Sequence, residues 1–256
     1  MNSLFRRFGP HSQAATGLRC NSTVRSHVGR VREVNEDRVL ERPDVGLWAV
    51  ADGMGGHSGG GEAAETLIAH LTRIPSPISM SAIDQALAAA NAAILDASSG
   101  QSGTTAIVLH TEGPTAFLYW AGDSRAYLIR EGALHLLTHD HSVVQQLIDA
   151  GALTPDEAAH HPQANVITNA LGVGETLTID RTSCHLLPGD RLLLCSDGLS
   201  RSLSDRDFTF VEPLAAQADR LLTNALQRDG SDNISLALVE LRGGIAPQAR
   251  TQGRRG

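Results

Sequence analysis

Short, nearly continuous apolar runs recur along the chain, separated by segments rich in glycine and polar residues. Runs of this length predict β-strands whose two faces are both covered by other parts of the protein. The predicted strands are residues 47–51, 104–110, 116–121, 126–130, 191–195 and 234–241. The pattern therefore indicates a core built around sheets.

Amphipathic segments between these strands predict helices at residues 61–74, 81–98, 142–150 and 211–227, with a further short helix that begins at 154. Ser81, three residues before Asp84, is a candidate N-cap. Thr154, Pro155 and Glu157 stand in the order of a cap, a first-turn proline and a capping-box glutamate. Because strands and helices do not alternate regularly, the order indicates an α+β fold and not a doubly wound parallel sheet.

Length and composition fit one domain. A chain of 256 residues with 41% hydrophobic residues is sufficient for one sizeable core. Residues 1–20 show no sustained periodicity, and the segment from Gly243 onwards is rich in glycine and arginine. We therefore expect a mobile arm at 1–20, a domain at 21–242 and a disordered tail at 243–256.

Charge and cysteine content narrow the expected partners. A formal charge of −7 disfavours nucleic-acid binding, which normally uses a basic surface. The three cysteines form no CxxC pair, so neither a disulfide framework nor a cysteine–zinc site is expected. The N-terminal residues lack the apolar core of a signal peptide, and no apolar run is long enough for a membrane span. We expect a soluble, cytoplasmic monomer with neither nucleic acid nor membrane as a partner.

The absence of lysine excludes several mechanisms. All 21 lysine-plus-arginine positions are arginine. A P-loop, a protein kinase and a Schiff-base enzyme each depend on a lysine. The chain therefore belongs to none of these three classes.

Aspartates stand at the ends of the predicted strands, next to glycine or other small or polar residues. They are Asp52 in VADGMGG, Asp123 in WAGDSR, Asp197 in LCSDGL and Asp232 in DGSDNI, and Asp37 lies beside Glu36 in REVNEDRV. Desolvating an unpaired carboxylate costs several kcal/mol, so each needs a compensating cation or arginine. Each aspartate taken alone is also an ordinary turn or cap residue, and the residues alone leave that alternative open.

Convergence of these strand ends would create a site with oxygen ligands only. Such ligands suit Mn²⁺ or Mg²⁺ and not Zn²⁺. Clustered carboxylates with divalent ions indicate metal-assisted hydrolysis of a phosphate ester, in which a water that bridges two ions is the nucleophile. Arg32, five residues before Asp37, is either a phosphate-binding arginine or a surface arginine.

Eight strings carry a family resemblance. They are, in order, VREVNEDR, VADGMGGH, SGTTA, AGDSRAYLIR, LTHDHSVVQQLIDAG, HHPQANVITNALG, LLLCSDGLS and GSDNISLALV. Together they resemble the bacterial branch of the metal-dependent (PPM, type 2C) serine/threonine protein phosphatases over about residues 22–241. A single string of this kind would be weak, but eight in the same order make the resemblance specific.

The resemblance implies a four-layer α-β-β-α sandwich, in which two central antiparallel sheets are flanked by helix pairs. It also implies hydrolysis of protein phosphoserine and phosphothreonine, with Mn²⁺ or Mg²⁺ as the cofactor at two sites and at a weaker third site. The implied partners are phosphorylated proteins and a bacterial Ser/Thr kinase whose action the chain opposes.

The resemblance assigns the metal ligands residue by residue. Asp52 would bridge both metals. Asp197 and Asp232 would bind one of them, and the Gly53 carbonyl with Asp37 would serve the other, partly through water.

Further roles follow from the same resemblance. Asp123, together with Asp197, would hold the third ion, and Glu36 would belong to the outer shell of the metal site. Arg32 would bind the substrate phosphate. The catalytic set implied in this way is Arg32, Asp52 and Asp197.

Two positions depart from the family pattern. Eukaryotic relatives have a histidine directly after the Asp-Gly, proposed as the general acid, and here that position is Met54. His57 and a metal-bound water are the candidate acids in its place. Residues 139–171 match the flap beside the active site, where substrates are thought to be selected, and Asn169 stands where an arginine is expected.

Other interpretations rest on shorter motifs. Residues 56–60 match the G-x-S-x-G elbow of a serine esterase, but they do not follow directly on the strand that ends at Ala51. The histidines at 139–141 and 160–161 have metal-ligand spacing and are interpreted as polar flap surface. Arg125 is interpreted as a structural arginine. A phosphoprotein-binding scaffold is the non-enzymatic alternative, and the complete set of carboxylates disfavours it.

Overall fold

Two five-stranded antiparallel sheets form the centre of the protein in the computed structural model, which describes residues 19–55, 59–174, 176–208 and 212–243. In spatial order, sheet A consists of β1 (Arg19–His27), β12 (Ile234–Arg242), β11 (Arg191–Cys195), β8 (Arg125–Arg130) and β9 (Ala133–Leu136). Sheet B consists of β10 (Asp180–His185), β7 (Thr115–Ala121), β6 (Ala106–Glu112), β3 (Leu47–Ala51) and β2 (Arg38–Arg42). A small additional sheet pairs β4 (Gly53–Gly55) with β5 (Ser102–Thr104).

Helices cover the outer faces of both sheets. α1 (Gly59–Thr72) and α2 (Met80–Ser98) pack on sheet B, while α6 (Leu214–Arg228) and the one-turn α5 (Asp197–Ser200) pack on sheet A. Two short helices, α3 (Val143–Asp149) and α4 (Pro155–Ala158), belong to the segment between β9 and β10. The layers follow the order helix, sheet, sheet, helix, so the expected α+β sandwich is confirmed. None of the helices in the described ranges has the length and apolarity needed to cross a membrane.

Alternation along the inner strands explains why their sequences are apolar throughout. In β3, Trp48 packs between the two sheets, while the next residue, Ala49, packs against α1 and α2. In β11, Leu194 lies between the sheets and Leu193 packs with α6. Each buried large apolar side chain contributes about 1.5–3 kcal/mol, so these strands stabilise two cores at once.

The strands predicted from the sequence are the inner strands of each sheet. β3 and β11 agree with the prediction at both ends, and the predicted strand 104–110 is divided between β5 and β6. The edge strands β1, β2, β9 and β10 were not predicted. β1 begins at Arg19, inside the predicted arm 1–20, and the rest of that arm and nearly all of the tail lie outside the described residues.

Helix ends show one correction and one agreement. The predicted cap Ser81 is wrong, because the N-cap of α2 is Ser79, whose Oγ accepts a hydrogen bond from the Ala82 amide at 3.1 Å. Ser79 has the extended backbone that a cap requires, so the helix begins earlier than the S-x-x-D spacing suggests. The capping box between Thr154 and Glu157 is confirmed, with both reciprocal hydrogen bonds present.

Candidate metal and phosphate site

The register of the strands brings the aspartate-bearing ends together. In sheet B, the C-terminal ends of β3 and β7 both lie opposite the first residues of β6, and Asp52 and Asp123 follow these two ends. In sheet A, the end of β11 lies opposite the beginning of β12. Asp197 follows β11 and Asp232 precedes β12, so each sheet delivers two aspartates to one end.

These four aspartates line one cavity of about 240 Å³. The lining also contains three residues singled out from the sequence, namely Arg32, Glu36 and Gly53. The remaining lining residues are Met54, Gly55, Asn165, Ile167, Arg201 and Asn233. Asp37 is not part of the lining: it is 2% exposed, and the charges of Asp197 and Asp232 repel its carboxylate. The strand ends therefore converge, whereas the role of each residue stays a prediction.

Asp52 is fixed through its backbone. The Asp52 amide donates to Thr105 Oγ1 at 3.0 Å, and the Thr105 amide donates to the Asp52 carbonyl at 2.9 Å. Thr104 Oγ1 donates to the same carbonyl at 3.1 Å. Thr105 Oγ1 also lies 2.8 Å from Ser124 Oγ, next to Asp123. These buried hydroxyls tie the two aspartate-bearing strand ends of sheet B to each other.

Asp37 is held by Ser196, the residue that directly follows β11. Ser196 Oγ donates to Asp37 Oδ2 at 2.8 Å and accepts from the Ser235 amide at 3.0 Å. Because Ser196 directly precedes Asp197, this bond links Asp37 to the end of β11. A buried carboxylate with such a donor is easier to keep ionised than one without.

Burial and mutual repulsion raise the pKa values of the clustered carboxyls. Desolvation, with a smaller contribution from Asp197, raises the pKa of Asp37 to about 7 and that of Asp123 to about 7. Desolvation and then Asp37 raise the pKa of Asp52 well above its ordinary value. Desolvation also raises the pKa of Asp197, although Arg201 opposes this effect. A cation among these groups would lower the pKa values, because an opposite charge favours the carboxylate form.

Three buried carboxylate oxygens of the cluster lack a hydrogen-bond partner in the described ranges: Oδ1 of Asp37, Asp123 and Asp197. Such oxygens are costly, and a cation would satisfy them. An all-oxygen donor set also suits Mn²⁺ or Mg²⁺. Within the described part of the chain, no three His, Cys, Asp or Glu side chains form a ready-made metal cluster. The unpartnered oxygens and the all-oxygen donor set are what fit a divalent cation here.

Arginines hold two of the cavity carboxylates. Arg32 Nη2 donates to Asp232 Oδ2 at 2.9 Å, and Arg201 Nη2 pairs with Asp197 Oδ2. Arg201 is absent from the residues predicted from the sequence. Its position four residues after Asp197 was the available signal, because side chains at that spacing meet on a helical turn.

The comparisons with known proteins agree with this geometry. A family model described as Protein phosphatase 2C matches residues 25–235. The chain belongs to the protein phosphatase 2C family.

Named relatives of this family member differ in length. Serine/threonine protein phosphatase PstP of Mycobacterium tuberculosis is 38% identical over 232 residues, which cover 85% of this chain and 44% of PstP. Protein phosphatase PhpP of Streptococcus pneumoniae is 35% identical over 232 residues, which cover 84% of this chain and 94% of PhpP. A crystal structure of the PstP catalytic domain in complex with 2 manganese ions is 35% identical with a TM-score of 0.79, covering 88% of this chain and 99% of that one. This chain therefore spans less than half of PstP and nearly all of PhpP.

In this protein phosphatase 2C family member, Asn233 fixes the loop that carries Arg32. Asn233 Oδ1 accepts a hydrogen bond from the Glu36 amide at 2.8 Å. Its Nδ2 donates to the Val28 carbonyl at 2.9 Å and to the Val34 carbonyl at 3.0 Å. Both ends of the Arg32 loop are thus attached to one side chain beside Asp232.

Gly53 and Glu36 both contact the first turn of α1. A Cβ atom on Gly53 would lie 2.2 Å from the Gly60 carbonyl oxygen, so a larger residue does not fit there. Glu36 Oε1 accepts a hydrogen bond from the Gly61 amide at 3.2 Å. The positive end of a helix favours this carboxylate, which is consistent with the outer-shell position expected for Glu36.

The flap contributes Asn165 and Ile167 to the cavity lining. Asn169 instead serves the flap's own structure. Its Nδ2 donates to His141 Nδ1 at 2.8 Å and to the Thr178 carbonyl at 2.7 Å, while its Oδ1 accepts from the Thr178 amide at 3.1 Å. Because its amide group is occupied in this way, Asn169 shapes the flap rather than the cavity.

The shorter motifs have different outcomes. His57 and Ser58 lie outside the described residues. Arg125 is structural as predicted, since its guanidinium grips Asp140 through bonds of 2.7 and 2.9 Å. His139 pairs with the carboxylate of Asp149 at 2.8 Å, an interaction within the polar flap.

Proposed function

We propose that this chain is a Mn²⁺- or Mg²⁺-dependent phosphatase that hydrolyses protein phosphoserine and phosphothreonine and opposes a bacterial Ser/Thr kinase. The observation that carries the proposal is the cavity in which Asp52, Asp123, Asp197 and Asp232 meet Arg32. Likeness to the PstP catalytic domain, whose structure contains manganese ions, supports the cofactor. The names of PstP and PhpP support the substrate class.

Each proposed metal ligand supplies an oxygen atom. Asp52 would bridge two cations. The other ligands are Asp37, the Gly53 carbonyl, Asp197 and Asp232, with Asp123 at a weaker third site. When bound, the cations would activate a water molecule for direct attack on phosphorus, without a phosphoenzyme, and would neutralise charge on the phosphoryl oxygens. The chain keeps these mutually repelling groups close through buried hydrogen bonds such as that from Ser196 to Asp37.

Arg32 is the proposed phosphate-binding residue. Its side chain is 57% exposed at the cavity, and its planar fork matches two oxygens of a phosphoryl group. The Asp232 carboxylate that it holds is 25% exposed. Exposed ion pairs contribute about 0–1 kcal/mol, so little free energy opposes a move of Arg32 from Asp232 to the substrate.

The proton donor for the leaving alkoxide is a separate question. Met54 lines the cavity and has no proton to give, and no histidine belongs to the described lining. His57, which lies outside the described residues, stays the candidate side chain for this step.

Replacement of the central carboxylates tests the proposal. We expect Asp52→Asn and Asp197→Asn to lower kcat for p-nitrophenyl phosphate with Mn²⁺ by about a thousandfold or more, because metal assistance supplies several kcal/mol. Circular dichroism should show an unchanged fold. Asp219→Asn, which removes an exposed partner of Arg25 outside the cavity, serves as the control and should keep wild-type turnover. Full activity in either cavity variant would refute the proposal.

The serine-esterase alternative makes opposite predictions. It requires activity that survives EDTA and disappears in Ser58→Ala. The proposed phosphatase loses activity in EDTA, regains it with Mn²⁺, and keeps it in Ser58→Ala.

A further inference from the structure

Arg201 occupies a special position in the cavity. It follows α5 directly, and its amide donates to the Asp197 carbonyl at 3.0 Å. Its guanidinium returns to the carboxylate of the same residue, Asp197, through Oδ2. The arginine side chain is 35% exposed and that of Asp197 15% exposed, so the pair lies at the boundary between cavity and solvent.

The Arg201 guanidinium pairs with the Asp197 carboxylate, which is also a proposed ligand of a cation. Asp197 Oδ1 is buried without a hydrogen-bond partner in the described ranges, and Oδ2 is taken by Arg201. A cation on Oδ1 would lie beside this guanidinium, and the repulsion between the two positive charges would favour displacement of Arg201 from Oδ2. Asp123 is a second carboxylate near Arg201 and is influenced by its charge.

Arg201 also connects two depressions of the surface. It lines the carboxylate cavity together with Arg32, and it lines an adjoining groove with Ser202, Ser204 and Arg228. An arginine guanidinium keeps its charge at any pH at which the protein is folded. Once removed from Asp197, the charged guanidinium is therefore available to another anion within reach.

We propose that Arg201 is a second phosphate-binding arginine, which rests on Asp197 until a divalent cation displaces it and then grips the phosphoryl group opposite Arg32. This inference rests on the proposed function and adds a residue that no family string in the sequence assigns. Two planar forks on one small cavity can engage different oxygens of the same phosphoryl group. The groove beyond Arg201 leaves room for the polypeptide that carries this group.

Metal binding without substrate tests the competition for Asp197. Calorimetric titration of the EDTA-treated chain with Mn²⁺ should show several-fold tighter binding in Arg201→Gln than in the wild type, because no guanidinium has to leave. Arg181→Gln, which breaks the exposed Arg181–Asp84 pair outside the cavity, should bind Mn²⁺ like the wild type. Equal or weaker Mn²⁺ binding by Arg201→Gln would overturn the inference.

Phosphate binding tests the second part of the proposal, which is that the displaced Arg201 binds the phosphoryl group. With Mn²⁺ present, Arg201→Gln should raise the inhibition constant of inorganic phosphate and the KM for a phosphothreonine peptide by about tenfold or more, as expected for the loss of a charged hydrogen bond. Arg201→Lys keeps the positive charge but lacks the planar guanidinium. Its inhibition constant and KM should therefore lie between those of the wild type and those of Arg201→Gln. If the displaced guanidinium moves to Asp123 instead, phosphate inhibition stays at the wild-type value and the inference is wrong.

Failure of this inference is separable from failure of the proposed function. Normal Mn²⁺-dependent turnover by the wild type, together with unchanged constants in Arg201→Gln, refutes only the role of Arg201. A wild type without Mn²⁺-dependent turnover refutes the proposed function. In that case the calorimetric titrations still test Arg201, because they measure its effect on the binding of Mn²⁺ and of inorganic phosphate without any turnover.

Discussion

Asp52 is positioned by a buried threonine, and this gives a sharp test at the scale of single residues. Thr105→Val keeps the shape but removes the acceptor of the Asp52 amide and the partner of Ser124. A buried amide without a partner costs about 1–3 kcal/mol, so the free energy of unfolding should fall by that amount. Denaturant titration measures this change, and kcat should fall as well because Asp52 loses its fixed position.

Thr105→Ser is the matched control. It retains the hydroxyl and should stay within about 1 kcal/mol of the wild type, the usual cost of a small cavity. Wild-type stability and turnover in the valine variant would show that the hydroxyl does not position Asp52.

Burial of the carboxyls, with a smaller contribution from their mutual repulsion, predicts an unusual pH dependence. Asp37 and Asp123 have pKa values raised from 3.8 to about 7, so the folded metal-free protein binds protons that the unfolded chain releases between these values. The free energy of unfolding should therefore decrease as the pH rises from about 5 to 7, by at most about 1.4 kcal/mol per pH unit and group. Groups with lowered pKa, such as Asp207, are already ionised in both states above pH 5 and do not change this slope.

Urea denaturation in EDTA at several pH values measures the effect. Asp37→Asn removes one titrating group, so the slope should become shallower. Saturating Mn²⁺ should reduce or reverse the dependence of the free energy of unfolding on pH. Stability that is constant or increases between pH 5 and 7 in EDTA would contradict the raised pKa values that burial and mutual repulsion give these carboxyls.

The role of a residue could be predicted only where the residue belongs to a recognisable sequence pattern. The aspartates at strand ends were visible because each stands next to an apolar run. Ser196 and Thr105 were not singled out, since a buried serine or threonine has no distinctive pattern and acts through partners far along the chain. Arg201 was overlooked because one helical turn is too short to show periodicity.

At the scale of elements, the Arg32 loop depends on one side chain. Asn233→Ala would free the Glu36 amide and the carbonyls of Val28 and Val34. We expect the KM for a phosphothreonine peptide to rise severalfold, with a smaller change in kcat, because Arg32 loses its orientation toward the phosphate. Arg32→Ala should produce the same pattern more strongly.

Asn91→Ala is the control for this element. Asn91 accepts a hydrogen bond from the Gly172 amide at 2.8 Å and does not line the cavity. It should therefore leave KM unchanged. An unchanged KM in Asn233→Ala would argue against the role given to Asn233, and an unchanged KM in Arg32→Ala would argue against Arg32 as the phosphate-binding residue.

Strand prediction succeeded in the interior of the sheets and failed at their edges. Inner strands such as β11 are buried on both faces, so their apolar runs are continuous. β10 alternates between half-buried and exposed residues, and β1 has no fully buried residue. Edge strands with many polar side chains avoid pairing with other molecules, and this same feature hides them from an analysis of hydrophobic runs.

At the scale of the whole molecule, the sandwich brings together residues that are distant in sequence. Strand register alone accounts for the meeting of the aspartates within each sheet. Packing of the two sheets against each other then unites the four aspartates in one cavity, and no local pattern encodes that step. The family resemblance predicts this convergence, because eight ordered strings imply one known arrangement of layers.

The most direct test of the central claim is phosphate release from a phosphothreonine peptide by the EDTA-treated protein, before and after addition of Mn²⁺. The account predicts turnover only with Mn²⁺, little or none on the matching phosphotyrosine peptide, and almost none in Asp52→Asn. Phosphate release that persists in EDTA, or an Asp52→Asn variant that matches the wild type, would contradict it.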